Sequence, residues 1–594
     1  MTSLQQHEAA KSLDEAFHSQ LAKMNLGTSP ISLALAYADW ALHLAASPGR
    51  QMLLAQGATA LLQQTLKSPW QRVPAGDAKA TPVSETDPRF SDSSWSQWPF
   101  NTLKERFKVS EVWWNEATQV DGVSTHHHNI VDFFTRQWLD ALSPSNWMVT
   151  NPEVLQKGRE SQGQSWLKGY QSYAEDLAGY HDSHSPIDSG ALRPLAYEVG
   201  KEVAVTPGKV VFRNHLIELI QYTPTTAKVY PEPLLIVPSC IMKYYILDLS
   251  PHNSMVRYLV SQGHTVFMIS WRNPDATDRA LSMQDYLHMG VMQAMAAVKL
   301  RTGAPRIHSI GYCLGGTLLA IVVAALGRTD PKVGPENAVG PEDLPELATV
   351  TLLAAQTDFS EPGELGVFID DDQLQTLREE MARTGYFSGR QMAASFQFLH
   401  SRDLIWSRNT RRYLLGQDEV GNDLMSWNAD VTRLPEQMHA QSLSSLFLNN
   451  ALASGHFRVD GVGAVALMDI KAPMLVVGTV RDHVSPWQSV YKLHLLTDTH
   501  MTFVLAAGGH NAGIVSEPGH PHRSYQMDSV EKDHGWTPPD EWVAKAKLHE
   551  GSWWEAMHTW LHDRSGAKVS PPVIKRASVV GEAPGEYVMV RYAD

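Results

Sequence analysis

From about residue 200 onward, short apolar runs alternate with stretches of helical periodicity. The runs are PLLIVP (233–238), HTVFMIS (264–270), RIHSIG (306–311), ATVTLLAA (348–355), MLVVG (474–478) and MTFVLAAG (501–508), the last strand the pattern gives. Continuous apolar runs of this length predict strands buried on both faces. Their alternation with helices predicts a mostly parallel sheet covered on both sides. Ahead of them, GKVVFRNHLIELIQYTP (208–224) alternates like two antiparallel strands. The gap from residue 355 to 474 is too long for one crossover, and DDDQLQTLREEMARTGYFSGRQMAASFQFL (370–399) within it has a strong helical pattern. Residues at about 358–445 are therefore read as a helical cap inserted above the strand ends.

The first 200 residues carry a different pattern. Ser29-Pro30 reads as an N-cap followed by proline at the first helical position. That helix is expected to stop near Ser47-Pro48-Gly49, with a second over 50–66. A polar, Pro-containing link (75–94) leads to a tryptophan-rich region with Trp95, Trp98, Trp113 and Trp114, and then to a helix over 129–142. THHHN (125–129) lacks a spaced fourth metal ligand and reads as a helix start. The expected organisation is a mainly helical region over 1–200 and an α/β domain with its cap over 201–594. No internal repeat is visible.

Composition narrows the function classes. The 594 residues are 43% hydrophobic and 19% charged, with a net charge of −14. An acidic chain without a basic run disfavours nucleic acid as the main partner. Two cysteines cannot build a disulfide framework or a Cys-rich zinc site. The first residues have no apolar core behind basic ones, so no signal peptide is read. The most apolar stretch (31–46) carries Asp39 and His43 and is short for a bilayer span. A reducing cytoplasm is the expected compartment.

Candidate chemistry centres on GYCLGG (311–316), which fits the Gly-x-nucleophile-x-Gly elbow with Cys313 in the nucleophile's place. The glycines keep side chains out of a tight strand-to-helix turn, and the helix N-terminus behind it favours negative charge on sulfur or on an oxyanion. The bland alternative is a small buried thiol in a Gly-rich turn. The strand before and the apolar helix after favour the elbow. An α/β-hydrolase fold then requires an acid and a histidine in that chain order, after later strands. Asp482 follows MLVVG and His510 follows MTFVLAAG. Asp482 could instead merely cap the next helix, and His483 competes for the base role. The oxyanion hole is expected from the backbone N–H of Leu314 and of Ile241, in the loop after the 233–238 strand. Cys240 lies in that loop. A disulfide from it to Cys313 is an open geometry that a reducing compartment disfavours.

Sulfur at this elbow suits acyl transfer. Exchange of one thioester for another is nearly isoenergetic and keeps the acyl group activated, whereas a serine ester loses that activation. At this point the chain resembles the polyhydroxyalkanoate synthases, closest to the class I type. The likeness rests on DPRF (87–90), QWLDALSPSNW (137–147), NPE (151–153), KYYILDL (243–249), SWRNPD (270–275), GYCLGGT (311–317), SWNAD (426–430), RDHVSPW (481–487), GGHNAGIV (508–515) and HEGSWW (549–554). The resemblance implies polymerisation of short-chain (R)-3-hydroxyacyl-CoA to polyester with release of CoA. It implies Cys313 as nucleophile, His510 as base and Asp482 as acid, the aspartate often being assigned to activating the incoming hydroxyl. It also implies His483, Trp427 and Asn450 near the substrate, where Cys240 is a further candidate from its loop position, no metal or organic cofactor, a homodimer, and a cytoplasmic enzyme at the surface of polyester granules.

Some segments depart from the family pattern. MHAQSLSSLFLNNAL (438–452) replaces an aromatic-rich run. Asn511 follows the histidine where an aliphatic residue is common. The segment 327–348 is longer and more polar than usual, and the first 70 residues match poorly. A Cys-dependent thioesterase or polyester depolymerase shares the same three residues, and a catalytically silent granule protein is the reading outside enzymology.

Overall fold

The six apolar runs become six neighbouring parallel strands. In chain order the main sheet contains β1 (Gly208–Arg213), β2 (Ile217–Tyr222), β3 (Leu234–Val237), β4 (Val266–Trp271), β5 (Arg306–Tyr312), β6 (Glu346–Leu353), β7 (Met474–Thr479), β8 (Met501–Ala506), β9 (Ser524–Val530), β10 (Lys547–Glu550) and β11 (Gly581–Glu582). They lie in the order β10-β9-β8-β7-β6-β5-β3-β4-β2-β1-β11. The strands from β4 through β3, β5, β6 and β7 to β8 are parallel, and β1 and β2 pair antiparallel as expected. This is the α/β-hydrolase arrangement. The computed structural model describes Asp14 and residues 28–66, 87–182, 197–328, 341–399, 401–418, 421–532 and 535–591. Much of the 75–94 link and of the 327–348 excursion lies outside those residues.

Strand order places the chemistry. The chain passes from β3 to β4 on one side and then returns to β5 on the other. Loops leaving the carboxyl ends of β3 and β5 therefore open away from each other, and a crevice forms at that switch. Val237 is in register with Gly311, so Pro238 and the 239–242 loop stand beside the turn at Cys313.

The sheet does not end at β8. β9 and β10 continue it antiparallel, and β11 closes the far edge against β1. Ser524–Val530 is polar and half-exposed along its length, so it offers no apolar run to read. A strand whose faces meet solvent needs none.

The chain divides into two compact units, Met1–Pro194 with Arg390–Val420, and Leu195–Gly389 with Gly421–Asp594. Part of the segment expected as cap, 390–420, thus groups with the N-terminal helices. Long-range ion pairs are the physical reason. Arg402 reaches Asp140 at 2.8 Å, Arg412 reaches Asp176 at 2.7 Å and Lys168 reaches Asp418 at 2.6 Å. In this unit the Ser29 hydroxyl caps the helix Pro30–Ala45, and the His triplet opens the helix Thr125–Leu142. The DPRF stretch is a packing device. Asp87 caps a short turn, and buried Arg89 binds Asp87, Glu111 and Asp140.

In the sheet unit, polar residues cluster at the amino ends of β4 and β5, the edge opposite Cys313. His264 Nε2 is 3.2 Å from His558 Nδ1, and His308 contacts the Thr349 and Ser565 hydroxyls at 2.8 and 3.0 Å. Burial, reinforced by neighbouring histidines, lowers His264 to about 3. Burial also lowers His308 to about 4. Both folded values lie below the ordinary 6.5, so below that pH the unfolded chain binds more protons than the folded one. The stability contributed by these neutral imidazoles is complete above pH 6.5 and is lost as pH falls toward 4 and then 3. Urea midpoints measured across that range are expected to fall with pH, and less steeply in His308→Gln. Equal slopes for both proteins would contradict this.

Candidate active site

Cys313 sits between β5 and the helix Leu314–Leu326 with φ +52° and ψ −130°, outside the regions a residue with a Cβ normally adopts. The surrounding backbone holds it there. The Cys313 N–H donates to the Leu353 carbonyl at 2.9 Å, continuing the ladder to β6, while its own carbonyl accepts from Gly316 N–H at 2.8 Å. The flanking glycines are steric necessities. A Cβ on Gly311 would stand 2.4 Å from the Gly316 Cα, and one on Gly315 would stand 2.2 Å from the Pro238 carbonyl oxygen. Strand and helix approach this closely only without side chains. The thiol is partly exposed and free, and Leu314 at the first helical position has an N–H with no intrahelical acceptor.

The loops after β7 and β8 bring Asp482 and His510 to the same edge. His510 Nδ1 is 2.8 Å from Asp482 Oδ2, and the imidazole lies close enough to Cys313 to feel its charge. Burial alone pushes the His510 imidazole down, but the charges of Asp482 and Cys313 together hold it well above 6.5. An imidazole raised in this way is a strong base toward a thiol proton. The two readings of Asp482 are each satisfied by one of its oxygens. Oδ1 accepts from the Val484 and Ser485 N–H groups at 2.9 and 2.7 Å, capping the turn, while Oδ2 serves His510 and accepts from Thr479 at 3.2 Å. Its side chain is 0% exposed. His483, the competing base, is exposed, and the Asp482 carboxylate is turned to His510 instead.

The 239–242 loop carries Cys240 and Ile241 as expected. Cys240 is buried and free, and burial pushes its thiol up, as does the nearby charge of Cys313. The Ile241 N–H makes only a long 3.4 Å contact to the Ser239 hydroxyl. Trp427 and Asn450 have structural engagements. Trp427 is buried with its indole N–H on the Lys243 carbonyl at 2.8 Å. Asn450 accepts from Phe359 N–H at 2.9 Å and donates to Asp358 at 3.1 Å, tying down the loop after β6. Sequence reasoning missed Thr479 and Tyr312. Tyr312 packs its ring 5.7 Å from that of His510. Asn511 was visible only as a departure, and its amide turns out to bond the Tyr312 hydroxyl at 2.6 Å.

Comparison with known proteins adds the family. The family model for the poly-beta-hydroxybutyrate polymerase (PhaC) N-terminus matches residues 86–259, and that for the alpha/beta hydrolase fold matches 233–517. A third model, poly-beta-hydroxybutyrate polymerase N terminal, matches 8–50. The first 70 residues are therefore less divergent than their motifs alone suggest. The poly(3-hydroxyalkanoate) polymerase of Methylorubrum extorquens is 37% identical over 515 residues, 85% of this chain and 81% of that protein. The poly(3-hydroxyalkanoate) polymerase subunit PhaC of Rhizobium meliloti is 35% identical, over 87% of this chain and 82% of its own. The corresponding subunit of Cupriavidus necator is also 35% identical, over 88% and 86%. With a cysteine at the elbow, a histidine and aspartate beside it, and likeness along most of its length, this chain belongs to the poly(3-hydroxyalkanoate) polymerase family.

Proposed function

We propose that this protein polymerises (R)-3-hydroxyacyl units, taken from CoA thioesters, into polyester with release of CoA. The observation that carries the reading is 37% identity over 85% of the chain to a poly(3-hydroxyalkanoate) polymerase. Cys313 is the nucleophile. Its sulfur attacks the thioester carbonyl while His510 takes the thiol proton. The carbonyl oxygen gathers charge against the N–H groups of Leu314 and Ile241. The C–S bond to CoA breaks, His510 returns the proton to the CoA sulfur, and the acyl group stays on Cys313 as a thioester. The 3-hydroxyl of another hydroxyacyl-CoA then gives its proton to His510 and attacks that thioester, forming an ester; His510 passes the proton to the freed Cys313 sulfur, which repeats the first step on the CoA thioester of the lengthened chain and so takes that chain back. Neither step requires a metal or organic cofactor.

His510, rather than Asp482, activates the hydroxyl in this scheme. The supporting observation is that Asp482 is enclosed, with both oxygens already accepting hydrogen bonds. With its side chain 0% exposed, Asp482 is screened from an incoming alcohol.

The proposal extends to a cytoplasmic homodimer working at the surface of its polyester granule. Among the described residues no helix is long and apolar enough to cross a membrane. The helical unit nonetheless exposes Trp98, Trp138, Leu142, Trp147 and Val149, apolar area of a kind that suits contact with a partner or with polyester. The test supplies 3-hydroxybutyryl-CoA to the purified protein, follows released thiol, and asks whether the product sediments. Sedimentable polyester is expected. Soluble 3-hydroxy acid alone would identify a hydrolase, and no thiol release at any acyl length would leave a silent relative.

A further inference from the structure

A polar relay crosses three elements of the sheet unit beside the reacting thiol. The Tyr312 hydroxyl donates to Asn511 Oδ1 at 2.6 Å, and Asn511 Nδ2 donates to Asn428 Oδ1 at 3.2 Å. Tyr312 immediately precedes Cys313, is buried, and lays its ring against the His510 ring at an interplanar angle of 35°. Asn511 immediately follows His510. Asn428 lies in the helix Asp423–Ala429, within the segment inserted after β6. One amide thus touches the elbow and the inserted helix while being covalently joined to the base.

The same inserted segment is fastened on its other side to the loop after β3. The Trp427 indole holds the Lys243 carbonyl at 2.8 Å. Asp430 takes the Tyr245 hydroxyl at 2.9 Å and the Lys243 ammonium at 3.0 Å. The Thr432 hydroxyl donates to the Ile241 carbonyl at 2.5 Å. Residues 427–432 therefore bridge the crevice, from the loop holding the candidate oxyanion donor to the loop holding the base. Asn511 is the side-chain contact at the base end. An aliphatic residue at 511 could make neither of its hydrogen bonds and would leave the buried Tyr312 hydroxyl without this acceptor.

We propose that Asn511 is a positioning residue that, through Tyr312 and Asn428, fixes the His510 ring against Cys313 and couples its placement to the helix Asp423–Ala429. Proton transfer between thiol and imidazole depends steeply on their separation, so a small loosening of the ring is felt in turnover more than in substrate binding. The inference rests on the reading of His510 as the base for Cys313.

The test uses the full chain carrying Asn511→Leu, Tyr312→Phe, the two together, or His510→Ala. Each is read by kcat and KM for thiol release from 3-hydroxybutyryl-CoA, by the rate of Cys313 alkylation with iodoacetamide, and by thermal midpoint. For Asn511→Leu, kcat is expected to fall about tenfold with KM within about twofold. Alkylation slows in parallel and the thermal midpoint is retained. Tyr312→Phe behaves alike, and the double variant is no worse than either single one, because all three break the same relay. Parent-like kcat and alkylation in Asn511→Leu, or losses that multiply in the double variant, would overturn the relay. If that parent-like result came with an inactive His510→Ala, only the relay fails. If His510→Ala itself turned over and alkylated normally, the reading of the base fails and the relay with it.

Discussion

Cys313→Ala abolishes CoA release from 3-hydroxybutyryl-CoA, with a rate reduction of at least about 10⁴-fold. The expectation follows from position. Cys313 stands partly exposed at the turn between β5 and the helix Leu314–Leu326, with His510 beside it. Alanine meets the same backbone conformation with a Cβ of the same size, so the elbow and the fold should survive. Initial rates of thiol release, with the thermal midpoint as a folding control, check this. Activity retained at about a tenth of the parent's level would remove Cys313 from the mechanism.

Asp482→Asn is expected to lower both acylation of Cys313 and chain extension, each by about 10³-fold. The carboxylate orients His510 through its 2.8 Å bond to Nδ1 and favours its protonated form. An amide there can hold the imidazole in the wrong tautomer, and it cannot balance the charge that forms when the thiol or hydroxyl proton arrives. Rapid-quench measurement separates the two steps. If Asp482 itself took the proton of the incoming 3-hydroxyl, the asparagine variant would acylate at the parent rate and stop only at extension. The loss of both together is the result that burial of Asp482 behind His510 demands.

The elbow was legible because its constraints are local. Glycines two residues to either side of Cys313 are forced because a Cβ at either would stand under 3 Å from neighbouring backbone, and an apolar strand and helix must flank them. Asp482 and His510 were legible through strand order, which leaves their loops no other edge of the sheet. What stayed hidden depends on contacts between distant residues. The polar strand Ser524–Val530 has no apolar run to announce it. The grouping of 390–420 with the N-terminal helices follows from ion pairs such as Arg402 to Asp140, which no periodicity encodes. Trp427 and Asn450 could be placed near the site by resemblance, but not their engagement with the Lys243 carbonyl and the Asp358–Phe359 loop. The partnership of Tyr312 and Asn511 joins the last residue of β5 to a loop residue far away in sequence. Only the unusual asparagine hinted at it.

The central claim is that polyester grows from an acyl group held on Cys313. Acid-quenching the full chain during turnover of 3-hydroxybutyryl-CoA, followed by mass spectrometry of the peptide containing Cys313, tests it most directly. The account predicts a ladder of thioester adducts on Cys313, successive members differing by one hydroxyacyl unit and shifting to longer chains with time. A single adduct that never grows, or a ladder attached to any other residue, would contradict it.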